Sequence, residues 1–182
     1  LLVARDRLHA HGIVELGDSP PAGVPGAFEP PPQWVEARFL DREDVVYHGP
    51  VLRRLRQIYV ERDKAWGLLE AGPTADLGGN RRPDRWVVAP AMLDACFMVC
   101  GVHVWRTRDR AIALPTGVDC LRIGRLPRPG EQCLLRLQLR GGNPGKEPLE
   151  SVGYDFVLHG DDNAALLRAE NSRCVILPEK NS

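Results

Sequence analysis

Residues 90–105, PAMLDACFMVCGVHVW, decide the fold of this chain. They are apolar almost all the way round for about four helical turns. Pro90 suits the first turn of a helix, because an N–H there would find no partner within the helix. A surface helix shows a polar side, whereas a helix that is apolar on every face has to be enclosed by other structure. The stretch is too short to span a bilayer, so it predicts a buried central helix.

Strand-like segments flank this helix on both sides. Residues 57–69 are typical of two strands around a turn at 61–64. After the helix come strand candidates at 112–115, 118–123, 133–139, 153–158 and 165–177, with turn sequences at 127–130, 141–145 and 160–163. One buried helix and an antiparallel meander predict the α+β class, with a curved sheet wrapped around a single helix.

The ends of the chain differ in composition from its middle. Residues 1–16 begin abruptly, and we expect them to form the closing strand of a preceding unit in a larger polypeptide. Residues 17–33 hold six prolines and cannot sustain a helix or a central strand, so they are interpreted as a linker. Residues 34–178 are predicted to form the main domain, and residues 179–182 a tail.

Composition excludes several classes of function. The chain has 24 Lys and Arg residues and 24 Asp and Glu residues, so no overall charge attracts nucleic acid or an anionic membrane. Its five cysteines show neither a CxxC pair nor the paired Cys/His spacing of a zinc site, which predicts buried free thiols in a reducing compartment. We find no signal peptide in the sequence. We therefore expect a soluble, cytoplasmic protein that binds no metal, nucleic acid or membrane.

Asp94 is the one charged residue within the apolar stretch. A carboxylate is expensive to bury unless it is paired or hydrogen-bonded. One interpretation is structural: the carboxylate accepts hydrogen bonds from free backbone N–H groups at the start of the helix. The other is functional: Asp94 is a desolvated acid that delivers a proton. The residues alone leave both open.

Three motifs in the same order resemble those of polyketide synthase dehydratases. Residues 46–52, VYHGPVL, resemble the YGPxF motif of that family, and residues 89–95, APAMLDA, are similar to its HPALLDA motif. Leu114-Pro115 and the residues that follow resemble its LPxxxxxxR segment. The YHGP spelling, together with LPRPGE at 126–131, is similar to the iterative synthases of the polyunsaturated-fatty-acid and enediyne kind.

The resemblance implies a fold and a reaction. These dehydratases are double hotdogs, each hotdog being a helix wrapped by a curved sheet, and this chain resembles the C-terminal one. In the family, a His of the first hotdog removes the α-proton of a β-hydroxyacyl thioester, and an Asp assists the departure of the hydroxyl as water. The Asp of that motif corresponds to Asp94. The substrate hangs from the phosphopantetheine of an acyl carrier protein, and the family needs no further cofactor.

The resemblance also implies contacts and partners. The expected partners are an acyl carrier protein and the N-terminal hotdog of the same synthase, or a second hotdog in a homodimer. The implied substrate-binding residues are Tyr47, Gly49, Pro50, Met98, Leu114 and Pro115.

Departures from the family pattern keep other functions open. No HxxxGxxxxP motif is present, Met98 stands where the family has Gln or His, and Ala89 replaces the His of HPALLDA. We therefore expect the fragment alone to be inactive. The alternatives are a non-catalytic dehydratase-like domain for architecture or docking, and a product-template cyclase, which also pairs His with Asp. His103, half a helical revolution from Asp94, is interpreted as a core histidine.

Overall fold

The computed structural model describes residues 2–4, 7–10, 12–13, 30–37, 49–73, 86–142 and 150–177. Within these ranges the chain forms nine strands and one helix. In chain order they are β1 Leu2–Ala4, β2 Arg7–Ala10, β3 Val35–Glu36, β4 Leu55–Val60, β5 Lys64–Glu70, α1 Pro90–Thr107, β6 Ala113–Ile123, β7 Gln132–Gly142, β8 Ser151–His159 and β9 Ala165–Ile176.

Seven strands form one antiparallel sheet in the order β3-β4-β5-β7-β8-β9-β6. The chain leaves the sheet after β5, runs through α1, and re-enters as β6 at the far edge. Strands β7, β8 and β9 then fill the space between. This arrangement confirms the predicted α+β class. At the beginning of the chain, β1 and β2 pair with each other as a separate two-stranded sheet, and the expected closing strand of a preceding unit stays a prediction.

The predicted strands are present, with one change of boundary. The candidates at 112–115 and 118–123 form the single strand β6, whose register shifts between Pro115 and Gly117. Proline cannot donate a hydrogen bond to a neighbouring strand, so the sequence suggested a break there. It is tolerated because β6 lies at the edge of the sheet, where one side needs no partner. The hairpin predicted at 160–163 connects β8 to β9 and holds Asn163 at a φ of 61°.

Helix α1 packs against the sheet and forms the core with it. Opposite the helix lie inward-facing residues such as Leu69, Leu135 and Phe156, which are almost completely buried. No helix in the described part of the chain is long and apolar enough to cross a bilayer. The buried residues of α1 are Ala91, Met92, Ala95, Cys96, Val99, Cys100, Val102, His103 and Val104.

Gly67 in β5 sets how closely α1 approaches the sheet. A Cβ atom built at this position would lie 2.9 Å from Cγ2 of Val99 and 3.0 Å from Cδ1 of Leu69. Carbon atoms in a packed core stay about 3.5–4.0 Å apart. The helix and the strand can therefore keep their present separation only while residue 67 has no side chain.

We expect Gly67→Ala to lower the free energy of unfolding by about 1–3 kcal/mol, the usual effect of overpacking a filled core. Urea denaturation followed by circular dichroism measures the change. Gly101→Ala in α1 is the matched control, because its new Cβ would meet nothing closer than the Ala113 carbonyl at 3.8 Å. That control should be neutral or stabilising, by up to about 1 kcal/mol. Equal destabilisation by both variants would contradict this account.

A group of ion pairs, which we call the Glu131 clasp, ties together two loops at one end of the sheet. Glu131 is buried and accepts hydrogen bonds from Arg125 Nη1 at 2.9 Å and Nη2 at 2.6 Å. Arg125 also reaches Asp162 at 2.9 Å, in the β8–β9 turn. Arg128 donates its backbone N–H to Glu131 and its side chain to Asp161. The bonds from Arg125 lower the pKa of Glu131 to about 2.

The carboxylates of the clasp are close enough together to raise the question of a metal. Oxygen atoms of Glu131, Asp161 and Asp162 lie within 4.8 Å of one another. However, the guanidinium groups of Arg125 and Arg128 bond to these same carboxylates and neutralise most of their charge. The arrangement is that of a structural ion-pair network.

Candidate active site

One face of α1 is left partly exposed by the sheet. Its residues are all half-buried, and we call this surface the open face of α1. At 100° per residue they lie within an arc of about 140°, in which Val104 alone is completely buried. The helix is buried where it packs against the sheet, as predicted, and its open face is partly exposed in the described structure. The residues of the open face are Pro90, Leu93, Asp94, Phe97, Met98, Gly101 and Trp105.

Asp94 lies on the open face, in the second turn of the helix. The first turn contains no acidic residue. The free backbone N–H groups of a helix belong to its first four residues, and Asp94 is the fifth residue counted from Pro90. Asp94 therefore lies one position beyond those residues, and both interpretations of its carboxylate stay predictions. Oδ2 of Asp94 is nonetheless buried, so one oxygen points into the protein from a partly open surface.

Met98 follows Asp94 by one helical turn and lies on the same open face. Phe97 is beside it, and its ring meets the buried ring of Phe156 edge-on, with 6.0 Å between the centroids. The carboxyl of Asp94 thus stands at one end of an otherwise apolar surface. Of the residues predicted from the sequence, Asp94 and Met98 are brought together.

Gly49 and Pro50 form a turn before β4. The backbone N–H of Leu52 donates to the Gly49 carbonyl at 3.0 Å, and a Cβ built at Gly49 would meet none of the described residues within 4 Å. Strand β4, which this turn leads into, packs against α1. Tyr47 lies outside the described residues.

Leu114 and Pro115 lie at the start of β6, and their side chains are exposed. Ala113 packs against the core, so Leu114 is on the opposite face of the sheet, because successive side chains of a strand alternate. Pro115 pairs with Cys174, which is buried, and paired residues share a face. Pro115 is therefore on the α1 side of the sheet and Leu114 is not.

His103 is confirmed as a core histidine. Its side chain is buried on the face of α1 opposite Asp94, and its Nδ1 lies 3.0 Å from the hydroxyl of Tyr154. Burial lowers the pKa of His103 and raises that of Tyr154. Both groups therefore stay neutral near pH 7. Because His103 and Tyr154 lie on the side of α1 away from Asp94, neither can reach a substrate bound at Asp94.

The cysteines agree with the prediction of buried free thiols. All five are free, and four of them are buried: Cys96, Cys100, Cys133 and Cys174. Burial raises the pKa of Cys96, and it raises that of Cys133 to about 12. Thiols that stay protonated are poor nucleophiles. These two side chains therefore contribute to packing.

The sequence suggested no functional role for Gly101 or Trp105. They follow Asp94 by seven and eleven residues and lie on its side of the helix. The spacing is readable in the sequence, but it carries meaning only once the open face is known. The Glu131 clasp was also missed, because its loops are brought together by the pairing of distant strands.

Two sequence comparisons with known proteins agree with each other. The family model described as "Polyketide synthase dehydratase N-terminal domain" matches residues 38–182. The chain is 31% identical over 157 residues to the polyketide synthase-nonribosomal peptide synthetase ACE1 of Pyricularia oryzae, a match that covers 79% of this chain and 4% of that protein.

Solved structures show the same fold. A dehydratase domain of a trans-acyltransferase polyketide synthase from Brevibacillus brevis superposes with a TM-score of 0.60 at 13% identity, covering 81% of this chain and 50% of that one. A trans-acyltransferase polyketide synthase enoyl-isomerase superposes with a TM-score of 0.55 at 15% identity, covering 82% and 57%. The predicted hotdog fold is confirmed by these neighbours.

The chain spans about half the length of these structures and a small part of the curated relative. The matching family model is described by an N-terminal domain, so the predicted position in the C-terminal half stays a prediction. The predicted iterative type of synthase also stays a prediction. The match over residues 38–182 covers most of the chain. The chain therefore belongs to the polyketide synthase dehydratase family.

Proposed function

We propose that this chain supplies the acidic half of a dehydratase active site, with Asp94 as the general acid. The observation that carries the proposal is the position of Asp94, alone among apolar residues on the open face of α1. There a carboxyl group can reach a substrate lying on the helix. A positioned acid typically contributes about 10²–10⁴-fold to such a step.

The reaction is loss of water from a β-hydroxyacyl thioester. A base takes the α-proton, and the electron pair of that C–H bond forms the double bond between the α- and β-carbons. The C–O bond at the β-carbon breaks as Asp94 gives its proton to the departing hydroxyl, which leaves as water. Asp94 is then regenerated by the proton that the base holds.

The base has to come from outside the described part of this chain. The two histidines whose side chains the structure describes lie elsewhere: His103 on the far side of α1, and His159 buried at the end of β8. We propose that the N-terminal hotdog of the same synthase supplies a histidine, which makes this chain the C-terminal half.

The open face of α1 and the edge of the sheet provide the surface for that second hotdog. Strand β6 is an edge strand, and edge strands attract further pairing. It follows α1 in the chain and starts beside it, since the Ala113 carbonyl is 3.8 Å from a Cβ built at Gly101. A partner can therefore pair with β6 and cover the open face at the same time.

We further propose that the substrate is carried on the phosphopantetheine of an acyl carrier protein. Met98 is the substrate contact that its position beside Asp94 supports best. Tyr47, Gly49, Pro50, Leu114 and Pro115 are proposed contacts on the family resemblance. Five free thiols agree with the reducing cytoplasm as the compartment.

The test is to produce the chain alone and joined to the upstream half of its synthase, and to give each a 3-hydroxybutyryl pantetheine thioester. Mass spectrometry should show loss of water with the joined protein and none with the chain alone. A joined, folded protein that binds the thioester without converting it would overturn the proposal. Movement of a double bond, the activity named for one structural neighbour, would be seen as a product of unchanged mass from an enoyl thioester.

Met98 favours a second candidate function, a non-catalytic docking domain. A thioether accepts hydrogen bonds weakly and donates none, so Met98 cannot hold the Asp94 carboxyl in place as a Gln would. If the joined protein with Met98 is inactive and its Met98→Gln variant is active, the natural domain is a non-catalytic docking domain. If the joined protein is already active, the docking form is excluded.

A further inference from the structure

Two residues of the open face are aligned with Asp94 along the helix. Gly101 and Trp105 follow it by seven and eleven residues, which places each within about 20° of Asp94 around the helix axis. Met98 and Phe97 flank this line on either side. We call the surface of α1 that runs from Asp94 to Trp105 the track. It is narrow and apolar, and Gly101 lies in its middle.

Gly101 leaves the middle of this track open. A Cβ built there would have one neighbour within 4 Å, the Ala113 carbonyl at 3.8 Å. An alanine would therefore fit among the described residues without disturbing the core, so packing alone does not require glycine. Its absence of a side chain has a different effect, which is to leave space above the helix.

Trp105 lies at the far end of the track. It lies about 16 Å from Asp94 along the helix axis, at about 1.5 Å per residue. The guanidinium carbons of Arg106 and Arg110 lie 5.4 and 6.0 Å from its ring centroid, and such cation–π contacts hold a ring in place. An apolar chain that reached Trp105 would next meet these two charges.

The track has a closed end and an open end. In the other direction from Asp94 only one helical turn remains before Pro90, and Val87 just beyond is 71% exposed. That side leads to the surface. It is where a long carrier arm could enter, while the acyl chain extends towards Trp105.

We propose that Gly101 and Trp105 determine which acyl chains the domain accepts. This inference rests on the proposed function of Asp94. The acyl chain extends from Asp94 over Gly101 and stops at Trp105. The available length fits roughly a dozen carbons beyond the reacting centre, if each C–C bond of about 1.5 Å advances an extended chain by about 1.3 Å.

The experiment uses the joined two-half domain and 3-hydroxyacyl pantetheine thioesters of 4 to about 16 carbons. Gly101→Leu should keep turnover of the shortest substrate and lower kcat/KM for the longest accepted ones by at least about tenfold, as a filled pocket does. Trp105→Ala should extend the accepted range to longer chains. Thr107→Leu, at an exposed position off the open face, is the control and should leave the profile unchanged.

A second readout keeps this inference separate from the proposed function. Binding of saturated acyl pantetheine amides, followed by thermal shift, needs no turnover and should give the same length profile for each variant. If the parent dehydrates nothing but Gly101→Leu still shortens the profile of bound amides, the proposed reaction fails and the inference holds. If both folded variants keep the length profile of the parent, the inference is overturned.

Discussion

Replacing Asp94 by Asn in the joined two-half domain is expected to lower kcat by about 10²–10⁴-fold, the contribution of a general acid. Asn has almost the same size and shape but cannot give a proton to the departing hydroxyl. KM should change little, because the open face of α1 keeps its apolar residues. Steady-state kinetics with a 3-hydroxyacyl pantetheine thioester measures both quantities.

Asp119→Asn is the matched control for this variant. Asp119 is an exposed carboxylate on β6 that bonds to Asn171 at 2.6 Å and forms an ion pair with Arg173. Its replacement makes the same chemical change away from the proposed substrate track and should leave kcat within about twofold of the parent, as expected for a surface substitution. An Asp94→Asn protein as fast as the parent would remove Asp94 from the mechanism.

Glu131→Gln is expected to lower the free energy of unfolding by about 3 kcal/mol at neutral pH. The side chain is 1% exposed, and holding its pKa at about 2 instead of 4.5 corresponds to about that energy. The amide keeps the shape of the side chain but loses the charge that Arg125 neutralises. Removing one partner of a buried ion pair commonly lowers the free energy of unfolding by about 3–5 kcal/mol. Urea denaturation measures the loss.

Glu131→Gln should also change how the stability of the protein depends on pH. A carboxylate whose pKa is lowered on folding stabilises the protein above its ordinary pKa, and this stability is lost as the pH falls through the folded value. The advantage of the parent over Glu131→Gln should therefore be constant above about pH 5 and shrink as the pH falls towards 2. The lowered pKa values of His103 and His159 also reduce stability below about pH 6.5, but equally in both proteins.

Glu170→Gln tests whether burial is the reason. Glu170 also bonds to two arginines, Arg122 and Arg168, but its side chain is 32% exposed. Exposed ion pairs contribute about 0–1 kcal/mol, so this variant should lose much less stability than Glu131→Gln. Similar losses of stability from the two variants would show that the burial of Glu131 adds nothing to the stabilising effect of the clasp.

The sequence predicted the elements of this fold well and the surface of the helix poorly. The apolar run at 90–105 marked the helix, and the hairpin at 160–163 marked β8 and β9. However, Leu93, Phe97 and Met98 are as apolar as the residues that face the sheet. Hydrophobicity therefore cannot distinguish the open face from the buried one. An apolar residue that contacts a partner or a substrate cannot be told in the sequence from one that packs in the core.

The clasp and the single strand β6 were missed for a different reason. Glu131 and Asp162 lie far apart in the chain and meet because β7 pairs with β8 and β9 with β6. Local patterns do not contain such contacts. Pro115 suggested a break because the sequence does not show that β6 would lie at an edge. The candidate acid was predicted from its motif, and its alignment with Gly101 and Trp105 required the helix geometry.

The order of strands in the sheet has a consequence for how the domain is made. Strand β6 leaves the ribosome before β7, β8 and β9, yet the strand it pairs with is β9, the last of the sheet to be synthesised. During synthesis the apolar sides of α1 and β6 therefore stay exposed until β9 has been made. Exposed apolar surface makes a nascent chain prone to aggregation. Contacts between such distant segments also make folding slow. A shortened chain that ends before residue 165 would lose this closing strand and should be recovered from cells mainly as aggregate.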